Sequence, residues 1–234
     1  MSTTALAPAP VAAQSRTTAR TAGLLYLVTF LTSVPTLALY APLRERPGQV
    51  LDAADRTGVV VGALLEVGLA LSCVATAVVL FPVVRRHGER AALGYLAARV
   101  VEGALVLVGV ISVLALVGLP QQATADPGST AVVGRALLAV YEGTFLLGQG
   151  LMPVLCALTL GSLLLRSGLV PRAIPLVGLA GAPLLLASDV AIATGVYEQG
   201  TALAGLAALP IAAWELSLAV WLVVRGFRVP VPAA

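Results

Sequence analysis

Lysine is absent from this 234-residue sequence, histidine occurs once, cysteine twice, and only 11% of residues are charged. Each shortage excludes something. His87 stands alone in a polar stretch, and Cys73 and Cys156 belong to no CxxC or Cys/His grouping, so a metal centre or a haem lacks ligands and no cofactor is expected. The two cysteines lie in apolar runs and read as small hydrophobes. The net charge of +3 is scattered, with no basic run interleaved with aromatics, which argues against nucleic acid as a partner. No HExxH, paired-glutamate metal motif, GxSxG or phosphate loop occurs. Catalytic sets are incomplete as well: His87 has no evident serine partner, and only one aspartate, Asp189, is embedded in an apolar run. The chain leans away from an enzyme.

What is abundant is apolar sequence: 59% of residues are hydrophobic and mean hydropathy is +1.00, whereas a soluble domain carries about 25% charged residues. This composition predicts an all-α integral membrane protein. Runs at 22–43, 58–81, 91–119, 134–165, 172–195 and 202–224 each meet the about 20 residues that a spanning helix needs. The domain plan is therefore a disordered, Ala/Pro/Ser/Thr-rich tail at 1–20, one six-span transmembrane domain at 21–226 and a short C-terminal tail at 227–234. The first run exceeds the about 7–15 apolar residues of a signal peptide and reads as an uncleaved span.

Arginine distribution orients the bundle. Nine arginines lie in the N-tail, the 2–3 and 4–5 loops and the C-tail, against four in the 1–2 and 3–4 loops, so both termini are expected in the cytoplasm. Loop 1–2, from Arg44 to Thr57, is the largest element expected outside, and a polar loop from Pro120 through Thr130 joins spans three and four. Arginine as the sole strong base, with abundant Ala, Val, Leu and Gly, suggests a high-GC bacterial genome and hence the bacterial inner membrane.

Into these spans the chain places Glu66, Glu102, Glu142, Asp189 and Glu215, with one base, Arg99. Charged groups in the bilayer core cost about 2.5–3.5 kcal/mol each on insertion scales, so they should face one another or a cavity. Arg99 and Glu102 share a helix face at i,i+3. Arg99 and Glu215 enter at similar depth from the cytoplasmic ends, which permits an intramembrane ion pair. Glu66, Glu142 and Asp189 belong to the outer half. With one arginine against five carboxylates, some acids are expected to be protonated. These six residues form the expected polar centre.

Prolines at 35, 153, 183 and 210 lie inside spans and remove backbone donors. Span four is long and contains Pro153, which predicts tilt or a broken helix. Small-residue spacings such as Gly58-x3-Gly62, Gly178-x2-Gly181 and Gly143-x4-Gly148-x-Gly150 favour close helix packing. A 3+3 inverted repeat would pair Glu102 with Glu215 but leaves Glu66 and Asp189 unmatched.

The stretches RTAGLLYLVTFLTSVP, GALLEVGLALSCVATAVVLFPVVRRHGERAALGYLAARVVEGALVLVGVISVL and LVPRAIPLVGLAG resemble bacterial membrane proteins grouped as the domain of unknown function 4386. The resemblance covers most of residues 20–225 and is most specific from Gly62 to Leu114, which includes Glu66, Arg99 and Glu102. It implies a multi-span inner-membrane protein and no reaction, cofactor or substrate. Three roles stay open: acids that lock a structural bundle, recognition of a small molecule or lipid as a sensor or accessory subunit, and proton- or cation-coupled transport. The lipid bilayer is the expected surrounding, and a homo-oligomer is compatible with the composition.

Overall fold

A computed structural model describes residues 9–46, 53–119 and 127–228. Among the described residues the chain is helical, with no strand, and six helices are long and apolar enough to cross a membrane. They run Arg16–Glu45, Ala53–His87, Glu89–Gly118, Gly128–Ser167, Ala173–Ala193 and Ala202–Val224. Helix is what apolar runs of this length must form in lipid, because every backbone N–H and C=O has to be satisfied within its own segment.

Span one comprises α1 (Ala9–Leu39) and α2 (Ala41–Glu45). Residues 9–20, expected within a disordered tail, are drawn into α1; the run is alanine-rich, and Pro10 sits in the first turn, where a missing N–H costs nothing. The remainder of that tail, 1–8, lies outside the described residues, as do 47–52 of loop 1–2, 120–126 of loop 3–4 and 229–234 of the C-tail. Span one breaks at Tyr40, two residues before Pro42 in the first turn of α2. The break turns the Tyr40 ring into the bundle against α3 (Ala53–Val84), where a Cβ on Gly62 would lie 2.5 Å from it.

A 3₁₀ turn at Arg85–His87 leads into α4 (Glu89–Gly118), which is span three. Span four departs from a regular helix: α5 (Pro127–Phe145), a π-helical turn at Leu146–Leu151, α6 (Met152–Cys156), a second π-helical turn at Ala157–Gly161, and α7 (Ser162–Ser167). Pro153 falls between the two wide turns, and Gly168 closes the segment in the left-handed conformation at φ 67°. Spans five and six are α8 (Ala173–Ala193) and α9 (Ala202–Val224), the latter capped by the Thr201 hydroxyl.

Consecutive spans pack side by side, and α9 returns to pack on α1, so the six helices close into a ring. Small residues set the approach. A Cβ on Gly23 would stand 2.7 Å from the Ala219 carbonyl, one on Gly178 would be 2.4 Å from the Trp214 ring, and one on Gly181 would be 2.7 Å from Pro210. The outward faces carry exposed leucine, valine and isoleucine, including Leu31, Leu64, Leu71 and Ile111. Spans three and four are the most buried of the ring, and the buried polar side chains come from spans one, two, three and five.

Candidate functional site

Arg99 is the hub. It is 1% exposed, and its guanidinium Nη1 donates to both carboxylate oxygens of Glu102, at 3.2 and 3.0 Å, while Nη2 donates to Oε1 of Glu215 at 2.5 Å. The pair with Glu102 is intrahelical at i,i+3, and the pair with Glu215 joins span three to span six. Tyr26 and Tyr95 frame the cation, with their ring centroids 4.9 and 5.9 Å from it and their hydroxyls 2.9 Å apart. Cys73 lies 3.6 Å from Nη1. Tyr95 is four residues before Arg99 on one helix face, a spacing visible in the sequence; Tyr26 comes from span one and had no such signal.

Beside this triad is a cavity of about 150 Å³. Every span contributes to its wall: Thr29 and Ser33 from span one, Leu69 from two, Arg99 and Glu102 from three, Gln149 and Pro153 from four, Leu185 from five, and Glu215 from six. With one arginine against two glutamates, the ionised triad carries a formal charge of −1.

The other three acids do not join it. Glu66 is 1% exposed and stands in a second cluster, where the Tyr141 hydroxyl donates to Oε1 at 3.0 Å and the Tyr40 hydroxyl to Oε2 at 3.2 Å. The two rings meet edge to face at 5.3 Å. Gln149, a wall residue of the cavity, lies near Glu66 and so stands between the two clusters. Asp189 is buried against the first π-helical turn: its carboxylate occupies the space a Cβ on Gly150 would need, at 2.7–2.9 Å, and its Oδ2 has no hydrogen-bond partner.

Glu142 is a correction to the sequence reading. It is exposed and lines a cleft of about 1160 Å³ at the end of the bundle that carries loop 5–6, together with Arg44, Glu45, Arg135, Tyr197 and Glu198. Neighbours on a helix point about 100° apart, and it is Tyr141, not Glu142, that faces inward. The single six-residue centre is thus replaced by an ion triad, a tyrosine-bound glutamate and a lone aspartate.

Gln199, in the 5–6 turn, explains where span four opens. With its amide oriented so that both groups are satisfied, it donates to the Glu142 carbonyl and accepts from the Leu146 N–H, each at 3.2 Å. Those two backbone groups would bond each other in an unbroken α-helix, so the side chain is inserted into the ladder at the point where the π-helical turn begins. Gln149 escaped the sequence reading because glutamine in an apolar run carries no charge to mark it, and Gln199 because a polar residue in a turn reads as solvated. Among the described residues, no three His, Cys, Asp or Glu side chains are grouped as metal ligands.

The family profile described as a domain of unknown function (DUF4386) matches residues 21–226. The chain belongs to the DUF4386 family. No curated protein and no solved structure matches it. Membership in DUF4386 carries no reaction, so what this member does has to be argued from its cavity. The matched region spans all six helices and both polar clusters of this DUF4386 protein.

Proposed function

We propose that this DUF4386 protein resides in the bacterial cytoplasmic membrane, with both termini on the cytoplasmic side, and holds a small cationic or protonatable solute in the cavity at its centre. The observation that carries the reading is a cavity lined by all six spans with one arginine and two glutamates on its wall. A bundle locked only by hydrogen-bonded acids needs no such space. The surplus carboxylate favours a positively charged occupant, Thr29, Ser33 and Gln149 supply neutral hydrogen-bonding groups, and Leu69 and Leu185 supply apolar wall. The volume suits a small organic ammonium ion or a hydrated monovalent cation.

The test is native mass spectrometry of the gently extracted protein beside Glu215→Gln, which abolishes the surplus charge and keeps a hydrogen-bonding amide. Thermal shifts with a series of small primary and quaternary ammonium ions accompany it. A stoichiometric adduct, or a shift of a few degrees, in the wild type and its loss in folded Glu215→Gln is the expected result. A bare wild-type protein, indifferent to every ammonium ion, refutes the binding reading and returns the triad to a structural role.

Transport is a second reading, favoured by span four. Its first π-helical turn, through Gln149, and Pro153 form irregular backbone at the cavity wall, the kind of segment that discontinuous transporter helices place at the midplane.

A further inference from the structure

The wall of the central cavity concentrates its exposure at one seam of the ring. Six wall residues keep some exposure: Phe30 and Ser33 on α1, Ala208, Ala212 and Glu215 on α9, and Gln149 on the first π-helical turn. The wall residues from spans two, three and five, namely Leu69, Arg99, Glu102 and Leu185, are buried. Five of the six therefore flank the line where span one meets span six. The triad shows the same gradient: the Glu215 side chain is 12% exposed, against 2% for Arg99 and 6% for Glu102.

Packing explains where this opening lies. Toward the Arg20 end, α1 and α9 are closed on each other: Gly23 stands against the Ala219 carbonyl, and Ala19, Ala22 and Tyr26 share a buried cluster with Leu218, Ala219 and Leu222. Phe30 and Ser33 come about two to three turns after Gly23, and Glu215, Ala212 and Ala208 about one to three turns before Ala219, so the two sets stand at one level on the two helices. Ser33, Ala208 and Ala212 are small and leave room between them. Phe30 and Ala212 are each at the middle of their span, which puts the opening in the hydrocarbon layer rather than in water. Leu31, Val34, Leu209 and Leu216, each next in sequence to one of these wall residues, are exposed and give the opening an apolar rim.

From this placement we infer that the cavity takes its ligand sideways from the bilayer, through the seam between α1 and α9, and that the ligand carries an ammonium head on an apolar chain. The inference rests on the cavity reading and names the substrate class. The triad sets the head: two carboxylates outnumber one guanidinium, and Glu215, the more exposed of the two, is the one at the opening. The route sets the chain. A bare ion pays heavily to reach a mouth at mid-membrane, whereas an amphiphile is already dissolved in the layer that the mouth faces. With the head at Glu215, the chain passes between Ser33 and Ala212 and stays in lipid.

The test compares decylammonium with ethylammonium by thermal-shift titration of the protein in phosphatidylglycerol nanodiscs, a lipid without an amine. Decylammonium is expected to bind the wild type about tenfold or more tightly, since its chain holds it in the bilayer. Folded Glu215→Gln should lose it, and Ala212→Phe, which fills the seam, should reduce it to the affinity of ethylammonium. Ala208→Phe serves in the same way if Ala212→Phe does not fold. Equal affinity of the wild type for the two ions, or a decylammonium advantage that survives the seam variants, overturns the lateral route and leaves the cavity reading standing. Decylammonium held equally by Glu215→Gln is adsorbed rather than bound at the triad and overturns the inference. Indifference to both ions overturns the inference together with the cavity reading. Phosphatidylethanolamine that accompanies the gently extracted protein and is displaced by decylammonium would make the natural occupant a bilayer lipid; a bare protein that takes up decylammonium makes it a free alkylamine.

Discussion

Arg99 holds two acids at once, and its removal is the most informative single change in the chain. Arg99→Ala leaves Glu102 and Glu215 facing each other without a cation, and breaking a buried ion pair costs about 3–5 kcal/mol. The melting temperature in detergent is expected to fall by on the order of 10 °C. The triple variant Arg99→Leu, Glu102→Gln, Glu215→Gln should recover most of that loss, because the penalty comes from unpaired charge rather than from lost contact. Equal melting of Arg99→Ala and the wild type would show that the guanidinium contributes nothing to the fold. At this scale the sequence was informative about Arg99, Glu102 and Glu215, since i,i+3 spacing and depth from the span ends are both countable. It was uninformative about Glu142 and Tyr141, because the direction in which a helix is rotated depends on what it packs against.

Helix pairs meet where a glycine leaves room, and α8 against α9 is the clearest case. A Cβ on Gly178 would stand 2.4–2.9 Å from the buried Trp214 ring, so Gly178→Ala is expected to cost about 1–3 kcal/mol as overpacking. Gly143, on α5, has nothing within 4 Å of its Cβ position, and Gly143→Ala should be neutral or stabilising by up to about 1 kcal/mol from backbone entropy alone. Thermal unfolding of the two variants beside the wild type reads the difference directly; similar melting of both would mean that α8 and α9 do not meet at Gly178. The six helices were legible as apolar runs, and the irregularity of span four was legible as excess length with a proline. That it resolves into two π-helical turns, the first opened by Gln199 from another loop, was not, because the residue responsible is 53 positions beyond Leu146 in the chain.

For the whole molecule, the ring of helices places the 3₁₀ turn with Arg85 and Arg86 at one end and the cleft with Arg44 and Arg135 at the other. The excess of arginine at the first end is what supports the proposed cytoplasmic placement of that end. A reporter that is active only in the cytoplasm, fused after Arg228, should therefore be active, and a cysteine introduced at Glu198 should react with a membrane-impermeant thiol reagent in intact cells. An inactive fusion with an unreactive Glu198→Cys would invert the molecule.

Sequence alone determined that this chain is a six-helix membrane protein of its family, because span length and hydropathy are local quantities that the bilayer imposes on each segment separately. It also determined which charged side chains enter the membrane. Which of them meet was decided by tertiary structure: the cavity draws its wall from all six spans, Glu66 finds its tyrosines 26 residues before it and 75 after it, and Glu142 turns outward beside Tyr141. Those outcomes depend on helix rotation and on glycine-set approach between segments distant in the chain, and no local pattern encodes them.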